Sequence, residues 1–172
     1  ASVSLRTPKG LLVEVPLEDC RMEGPSAVCG VRKDGGDDVD QTTGALVQAA
    51  VSPSVQPGIS IEGGPGVGRV TRPGLDQPVG AAAINRVPRQ MIREQVASLC
   101  RQTGYKGGLQ VTISVPAGEQ IAQRTFNPHL GIEGGISILG TSGIVEPMSQ
   151  QAILDTIQLE MGQAALRAVS GG

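Results

Sequence analysis

Residues 88–115, PRQMIREQVASLCRQTGYKGGLQVTISV, set a helix pattern directly beside a strand pattern. In the first half Ile92, Val96 and Leu99 are spaced four and three apart, which predicts one buried stripe on a helix. Pro88 suits the first turn, where the amide hydrogen it lacks would have no partner anyway, and Gly104 suits the stop. The second half changes period. Leu109, Val111, Ile113 and Val115 alternate strictly with Gln110, Thr112 and Ser114, the mark of a strand with one apolar face.

Toward the N-terminus the pattern is a run of short strands. Val3 and Leu5 begin one, Pro8–Gly10 turns it, and Val13, Val15 and Leu17 alternate with Glu14 and Pro16 on the way back, near a sheet edge. Ala27, Cys29 and Val31 read as another strand, as do Val47, Ala49 and Val51, with Pro53 and Pro57 punctuating before Ile59–Ile61. A glycine loop, Glu62–Arg69 (EGGPGVGR), and a long proline-rich loop over 71–88 lead to the helix. Beyond the central strand, Pro116–Arg124 reads as a short helix broken at Asn127–Pro128, and Ile136–Leu139 as a strand inside a second glycine-rich stretch. Ser149 then caps a last helix whose apolar stripe is Ile153, Ile157, Met161, Ala164 and Ala168. These elements predict an α+β domain, a mixed sheet with helices packed on it.

The chain has 172 residues, 25 Gly and 12 Pro, and only one Tyr, one Phe and no Trp. Its core must be aliphatic, and aromatic platforms for stacking nucleic-acid bases are lacking. The net charge of −2 points to neither nucleic acid nor a membrane surface. The distribution is uneven: Arg69, Arg72, Arg86, Arg89, Arg93, Arg101 and Lys106 stand against only Asp76 and Glu94 between residues 69 and 106. Such a section suits an anionic small ligand, although charge alone favours a solvated face that balances the acidic segments. Cys20, Cys29 and Cys100 form no CxxC pair, so neither a disulfide framework nor a zinc site is expected, which fits a reducing, cytoplasmic setting. No apolar run approaches the length needed to span a bilayer. The first residue is Ala inside a strand pattern, as expected of a piece of a longer protein.

The residues that could carry chemistry fall into four groups. Asp34, Asp37, Asp38 and Asp40 crowd one loop without EF-hand spacing, so no metal is expected there, and solvated Asx-turns are the ordinary alternative. Carboxylates of this kind would also attract a sulfonium. His129 is the lone histidine, so a serine or cysteine triad would have to use it. Beside Pro128 in a loop it reads as a surface residue, a histidine-based hydrolase is not expected, and no catalytic residue is assigned. Gly64, Gly66 and Gly68 in the first glycine loop do not follow GxGxxG, and no GK[ST] ending follows them. Gly134 and Gly135, then Gly140, Thr141 and Gly143, bracket the strand of the second glycine stretch, where backbone N–H groups could receive carboxylates or phosphates. Arg86, Arg89 and Arg93 are spaced three and four apart, so in helical geometry they share a face suited to separate carboxylates.

The segments KDGGDDVDQTTG (33–44), GVGRVTRPGL (66–75), PVGAAAINRVPRQMI (78–92), VTISVPAGEQIA (111–122) and, most specific, TFNPHLGIEGGISILGTSGIVEPMS (125–149) occur in order. Together they resemble the cobalt-precorrin-5B C1-methyltransferases of anaerobic cobalamin biosynthesis, over essentially the whole chain. The likeness departs at Gly35, Val39, Thr43, Ala82 and Arg86, all in loops. It lacks the family's N-terminal segment and its C-terminal Rossmann-like domain. On this likeness residues 1–148 are an α+β domain, partial at its start and related to a permuted ribosomal S5 domain 2. Residues 149–172 are then a helix leading into a further domain. The resemblance implies methylation of ring carbon 1 of cobalt-precorrin-5B by S-adenosyl-L-methionine, giving cobalt-precorrin-6A, with the cobalt carried by the substrate. It also implies roles. Arg69, Arg72, Arg89, Arg93 and Asn127 would receive the anionic tetrapyrrole. Asp37, Asp38, Asp40, Gly64, Gly66, Gly68, Gly134, Gly135, Gly140, Thr141 and Gly143 would line the path of substrate or methyl donor. A homo-oligomer is compatible with the chain. The alternative is a non-catalytic binding or scaffold domain for an anionic small ligand; a glycine-loop phosphotransferase is weaker, for want of a Walker lysine.

Overall fold

The computed structural model describes residues 1–6, 10–36 and 40–140. Strands β1 (Ser2–Arg6) and β2 (Leu12–Pro16) form an antiparallel hairpin with Ser2 opposite Pro16. Next come β3 (Glu18–Glu23), β4 (Ser26–Arg32), β5 (Leu46–Ser54) and β6 (Ile59–Gly63). Two short strands, β7 (Gly66–Val67) and β8 (Arg69–Val70), precede helix α1 (Arg86–Thr103) and strand β9 (Gly108–Ser114). The described chain closes with α2 (Gly118–Ala122), α3 (Asn127–Leu130), β10 (Ile132–Glu133) and β11 (Gly135–Ile136). The final helix expected after Ser149 lies outside the described residues.

The main sheet has the order β3-β4-β5-β9-β6 and is mixed, with β6 parallel to β9 and the other pairs antiparallel. Parallel neighbours cannot be joined by a tight turn, and α1 lies within the crossover from β6 to β9. The alternation read in β9 is realised: Val111 and Ile113 are buried while Gln110 is exposed. Ile61, Val111, Ile113, Val115, Ala82, Ile84 and Ile136 form one aliphatic core, against which Val47, Val51, Ile92 and Val96 pack. Full burial of a side chain such as Ile84 or Val111 contributes about 1.5–3 kcal/mol relative to leaving it exposed.

Several elements differ from the sequence reading. The strand expected over Ile136–Leu139 is only Gly135–Ile136, and β7, β8 and β10 lie in stretches read as glycine-rich loops. Strand β3 was not foreseen, because its residues EDCRME carry no apolar alternation; it is the outer strand and every side chain is exposed. Strand β5 runs through Pro53, which is tolerated because β4 pairs with β5 only as far as Val51. Helix α1 packs Ile92 and Val96 partly buried against the core but leaves Leu99, the third residue of the expected stripe, exposed. Asn127–Pro128 opens α3 rather than breaking a helix, since proline fits the first turn.

Helix α1 starts at Arg86, two residues before the proline chosen from sequence, and ends at Gly104, whose left-handed conformation lets its N–H return to Cys100 O. Its N-cap Asn85 makes no side-chain cap bond. The carboxylate of Asp76 accepts from the Arg86 N–H at 2.7 Å instead, so the proline-rich loop folds back to cap the helix it precedes. The end of that loop is packed down: Ala82, Ala83 and Ile84 are buried. Ala83 donates to Gly68 O at 2.7 Å and accepts from Ile138 N at 2.8 Å, joining the two glycine-rich segments.

Candidate functional site

The two glycine-rich segments pair with each other. β7 runs parallel to β11, with Gly66 opposite Gly135, and β8 runs antiparallel to β10, with Val70 opposite Ile132. A Cβ at Gly66 would collide with the carbonyl of Val115, and one at Gly118 or Gly135 would collide with the carbonyl of Gly66. These glycines are a seam in which backbone meets backbone. Gly64 N–H donates to Ile113 O and Gly68 N–H to Ile136 O, both at 2.8 Å. The close backbone approach expected of these glycines is therefore made to the protein itself. Gly134 and Gly140 are exposed instead, while Thr141, Gly143, Asp37 and Asp38 lie outside the described residues.

Beside the seam a cleft of about 350 Å³ opens between the loop after β4 and the segment from α2 to β11. Its polar wall is Lys33, Asp40, Thr42, Thr125, Asn127 and Ser137, and its apolar wall is Val47, Ile136, Ile138 and Leu139. A second cavity of about 130 Å³ lies next to it, lined by Val70, Leu75, Ala83, Leu130 and Ile132 together with Asp76, Gln77 and Asn85. Asn127, Ser137 and Leu139 line both.

Local hydrogen bonding builds the polar wall. Lys33 Nζ donates to both carboxylate oxygens of Asp40, at 3.1 and 2.9 Å, and to Thr42 Oγ1. Asp40 also accepts from the Thr42 N–H at 2.7 Å, and its own N–H donates to Thr43 Oγ1 at 3.1 Å. Burial would raise the Asp40 carboxyl, but hydrogen bonds from Thr42 and Lys33 outweigh it and hold the group below its ordinary value. Asp34 makes the Asx-turn anticipated for this loop, accepting from Gly36 N–H at 2.9 Å.

Asn127 is buried at the junction of the two cavities. Its Nδ2 donates to Gly135 O and its Oδ1 accepts from Ser137 Oγ, each at 3.4 Å. Both bonds are long, and a carboxamide has two donors and two acceptor lone pairs. A ligand that enters either cavity meets this remaining capacity, in a place where a satisfied hydrogen bond counts for more than in water.

The arginines do not line these cavities. Arg69 donates to Gly80 O at 3.1 Å and pairs with Glu62 at 3.2 Å. Arg72 lies over Gly131 and reaches His129 O at 3.5 Å. Arg93 is exposed. Arg89 is turned inward, donating to Ile84 O at 2.8 Å, Ile61 O at 2.9 Å and Ala82 O at 3.2 Å. Burial lowers its pKa, with Glu62 opposing and Arg93 adding to the shift. Arg89 thus ties α1 to β6 and to the packed loop. Lys33, Thr42, Thr125 and Ser137 were not singled out from the sequence. The signal was present, because all four stand in the 33–44 and 125–149 segments that carry the family resemblance.

Sheet order, glycine seam and paired cavities together define an α+β domain with a partly apolar cleft walled by two loops distant in sequence. The CbiD family profile matches residues 1–147. The cobalt-precorrin-5B C(1)-methyltransferase of Geobacillus kaustophilus is 57% identical over 149 residues, covering 87% of this chain and 40% of that protein. Its counterpart in Pseudomonas putida KT2440 is 53% identical over 156 residues, 91% of this chain and 43% of that one. The crystal structure of the cobalamin biosynthesis protein (cbiD) from Archaeoglobus fulgidus superposes with a TM-score of 0.65 at 35% identity, covering 92% of this chain and 50% of that chain. The chain belongs to the CbiD family. It spans about two fifths of the length of the curated relatives it matches.

Proposed function

We propose that this chain is the cleft-bearing part of a cobalt-precorrin-5B C(1)-methyltransferase. It would methylate ring carbon 1 of the cobalt corrinoid with S-adenosyl-L-methionine as methyl donor, giving cobalt-precorrin-6A in a cytoplasmic setting. The observation that carries the reading is the convergence of Lys33, Asp40 and Thr42, from segment 33–44, with Thr125, Asn127 and residues 136–139, from segment 125–149, on one cleft. These are two of the segments on which the family likeness rests.

The residues present suit the donor. An ammonium and a carboxylate held as a pair, Lys33 and Asp40, complement the amino-acid end of such a molecule. The smaller cavity, about 130 Å³ with aliphatic walls and amide-bearing Asn85, Gln77 and Asn127, suits a flat heterocycle. When bound, the donor supplies a methyl carbon on sulfonium, which the electron-rich ring carbon attacks while the C–S electron pair stays on sulfur. Such a transfer needs no side-chain base. The protein's part is to align the two reactants and keep water out, through the apolar wall of Val47, Ile136 and Ile138. Arg69, Arg72 and Arg93 remain the proposed receivers for the carboxylate arms of the tetrapyrrole; the donors of Arg89 are largely engaged by backbone carbonyls.

Lys33→Met and Asn127→Ala in the full-length protein, assayed anaerobically with isotopically labelled methyl donor, test the reading. Each is expected to lower kcat/KM by about tenfold or more, as loss of one charged or buried polar contact does, with the thermal midpoint little changed for Lys33→Met. Turnover within twofold of wild type for both would overturn this location. A second reading follows from the chain's share of its relatives' length: a corrinoid-holding domain with the donor bound elsewhere. Calorimetry in which both variants lose corrinoid affinity but keep donor affinity would favour it.

A further inference from the structure

Cys20 and Cys29 lie apart from the cleft, yet they meet across the β3–β4 pair: Cys29 Sγ donates to Cys20 Sγ at 2.7 Å. A β-bulge produces the meeting. Glu18 stands opposite Gly30, but Arg21, Met22 and Glu23 stand opposite Val28, Ala27 and Ser26. Asp19 and Cys20 therefore face the single residue Cys29. Asp19 absorbs the extra residue with φ at 51°, a left-handed conformation uncommon outside glycine. Its carboxylate accepts from Gln48 at 2.6 Å and is also bonded by Arg21. The irregularity that disturbs the edge strand is held in place from two sides, and it presents one thiol to the other. Cys20 is exposed and Cys29 is half-buried.

We propose that Cys20 and Cys29 form a reversible dithiol–disulfide pair that fastens the outer strand β3 to β4 when the surroundings become oxidising, with a small disulfide such as oxidised glutathione as oxidant. The exposed Cys20 thiolate attacks one sulfur of glutathione disulfide, forms a mixed disulfide and releases one glutathione thiolate. Cys29 then gives up its proton, attacks Cys20 Sγ and displaces the second glutathione. Two protein thiols lose one electron each, and one glutathione disulfide gains two to become two thiols. The order of attack follows exposure and is supported by the Cys29 thiol being raised in pKa, first by its hydrogen bond to Cys20 and then by burial. In the reduced form this edge relies on backbone pairing and on exposed ion pairs such as Arg32–Glu18 at 3.1 Å, which hold weakly. β4 ends at Arg32, one residue before the cleft lysine Lys33, so the fastening acts on the strand that delivers that side chain.

The test equilibrates the full-length protein in glutathione buffers of graded ratio, traps free thiols with N-ethylmaleimide, and maps peptides by mass spectrometry. A peptide pair linked through Cys20 and Cys29 is expected as oxidised glutathione rises, reversed by dithiothreitol, with Cys100 still alkylated. Amide hydrogen exchange over residues 18–32 should slow in the oxidised protein and be unchanged by the same treatment of Cys20→Ser. Separate alkylation of Cys20 and Cys29 at every ratio, or reaction that stops at a Cys20–glutathione adduct, would overturn the proposal.

Discussion

The glycine seam and the Asn127 cleft lie side by side and are built on opposite terms. In the seam, Gly66, Gly68, Gly118 and Gly135 bring backbone against backbone and leave no room for a methyl group. In the cleft, side chains from two loops stand back from one another and leave about 350 Å³ between them. Both occupy segments that look alike in composition. A high local glycine content therefore signals close backbone approach without saying whether the partner is a ligand or another strand. Here the strand takes most of it, and the seam fixes the floor on which Asn127 and Ser137 are held.

Substitutions can break this contrast in graded fashion. Gly66→Ala should have the largest effect, about 4 kcal/mol or more, because it combines a collision with Val115 O and a φ of +77°. Urea unfolding would measure it. Arg89→Lys comes next, at about 2–3 kcal/mol, since a single ammonium cannot serve three carbonyls that the planar guanidinium reaches. A thermal-shift comparison with Arg93→Lys, expected within about 0.5 kcal/mol of wild type, separates this from a general effect of charge. Gly134→Ala should cost only about 1–2 kcal/mol, the price of a left-handed residue in open space. Were it as damaging as Gly66→Ala, crowding would not be what sets the seam apart.

The smallest effect belongs to the cleft. The folded-state pKa of Asp40 is depressed, so its contribution to stability is complete above the ordinary carboxylate range and is lost as pH falls through the folded value. Because its side chain is half exposed, solvent screening keeps that contribution under about 1 kcal/mol. Urea unfolding of wild type and Asp40→Asn should differ slightly at pH ~6 and converge below pH ~4; a gap that widens on acidification would reverse the assignment.

Much of the fold was legible. β9 and α1 were read with nearly their observed limits, because alternation and the four-and-three spacing are direct images of what each face touches. β3 was invisible for the converse reason: an edge strand exposed along its whole length needs no apolar period. Of the proposed site, Asn127 and Asp40 were named from sequence and do line the cleft. Lys33 and Ser137 were passed over because a lone lysine and a lone serine carry no spacing that separates a cleft wall from a solvated loop.

By itself the sequence determined the strand and helix periods, the aliphatic character of the core and the segments that mark the family, all of which depend on residues near one another in the chain. Only the tertiary structure decided that the two glycine stretches pair with each other, that Arg89 serves backbone carbonyls and that Cys20 meets Cys29. Those are contacts between distant residues, and they follow from how strands are ordered and registered in space, which no local period encodes.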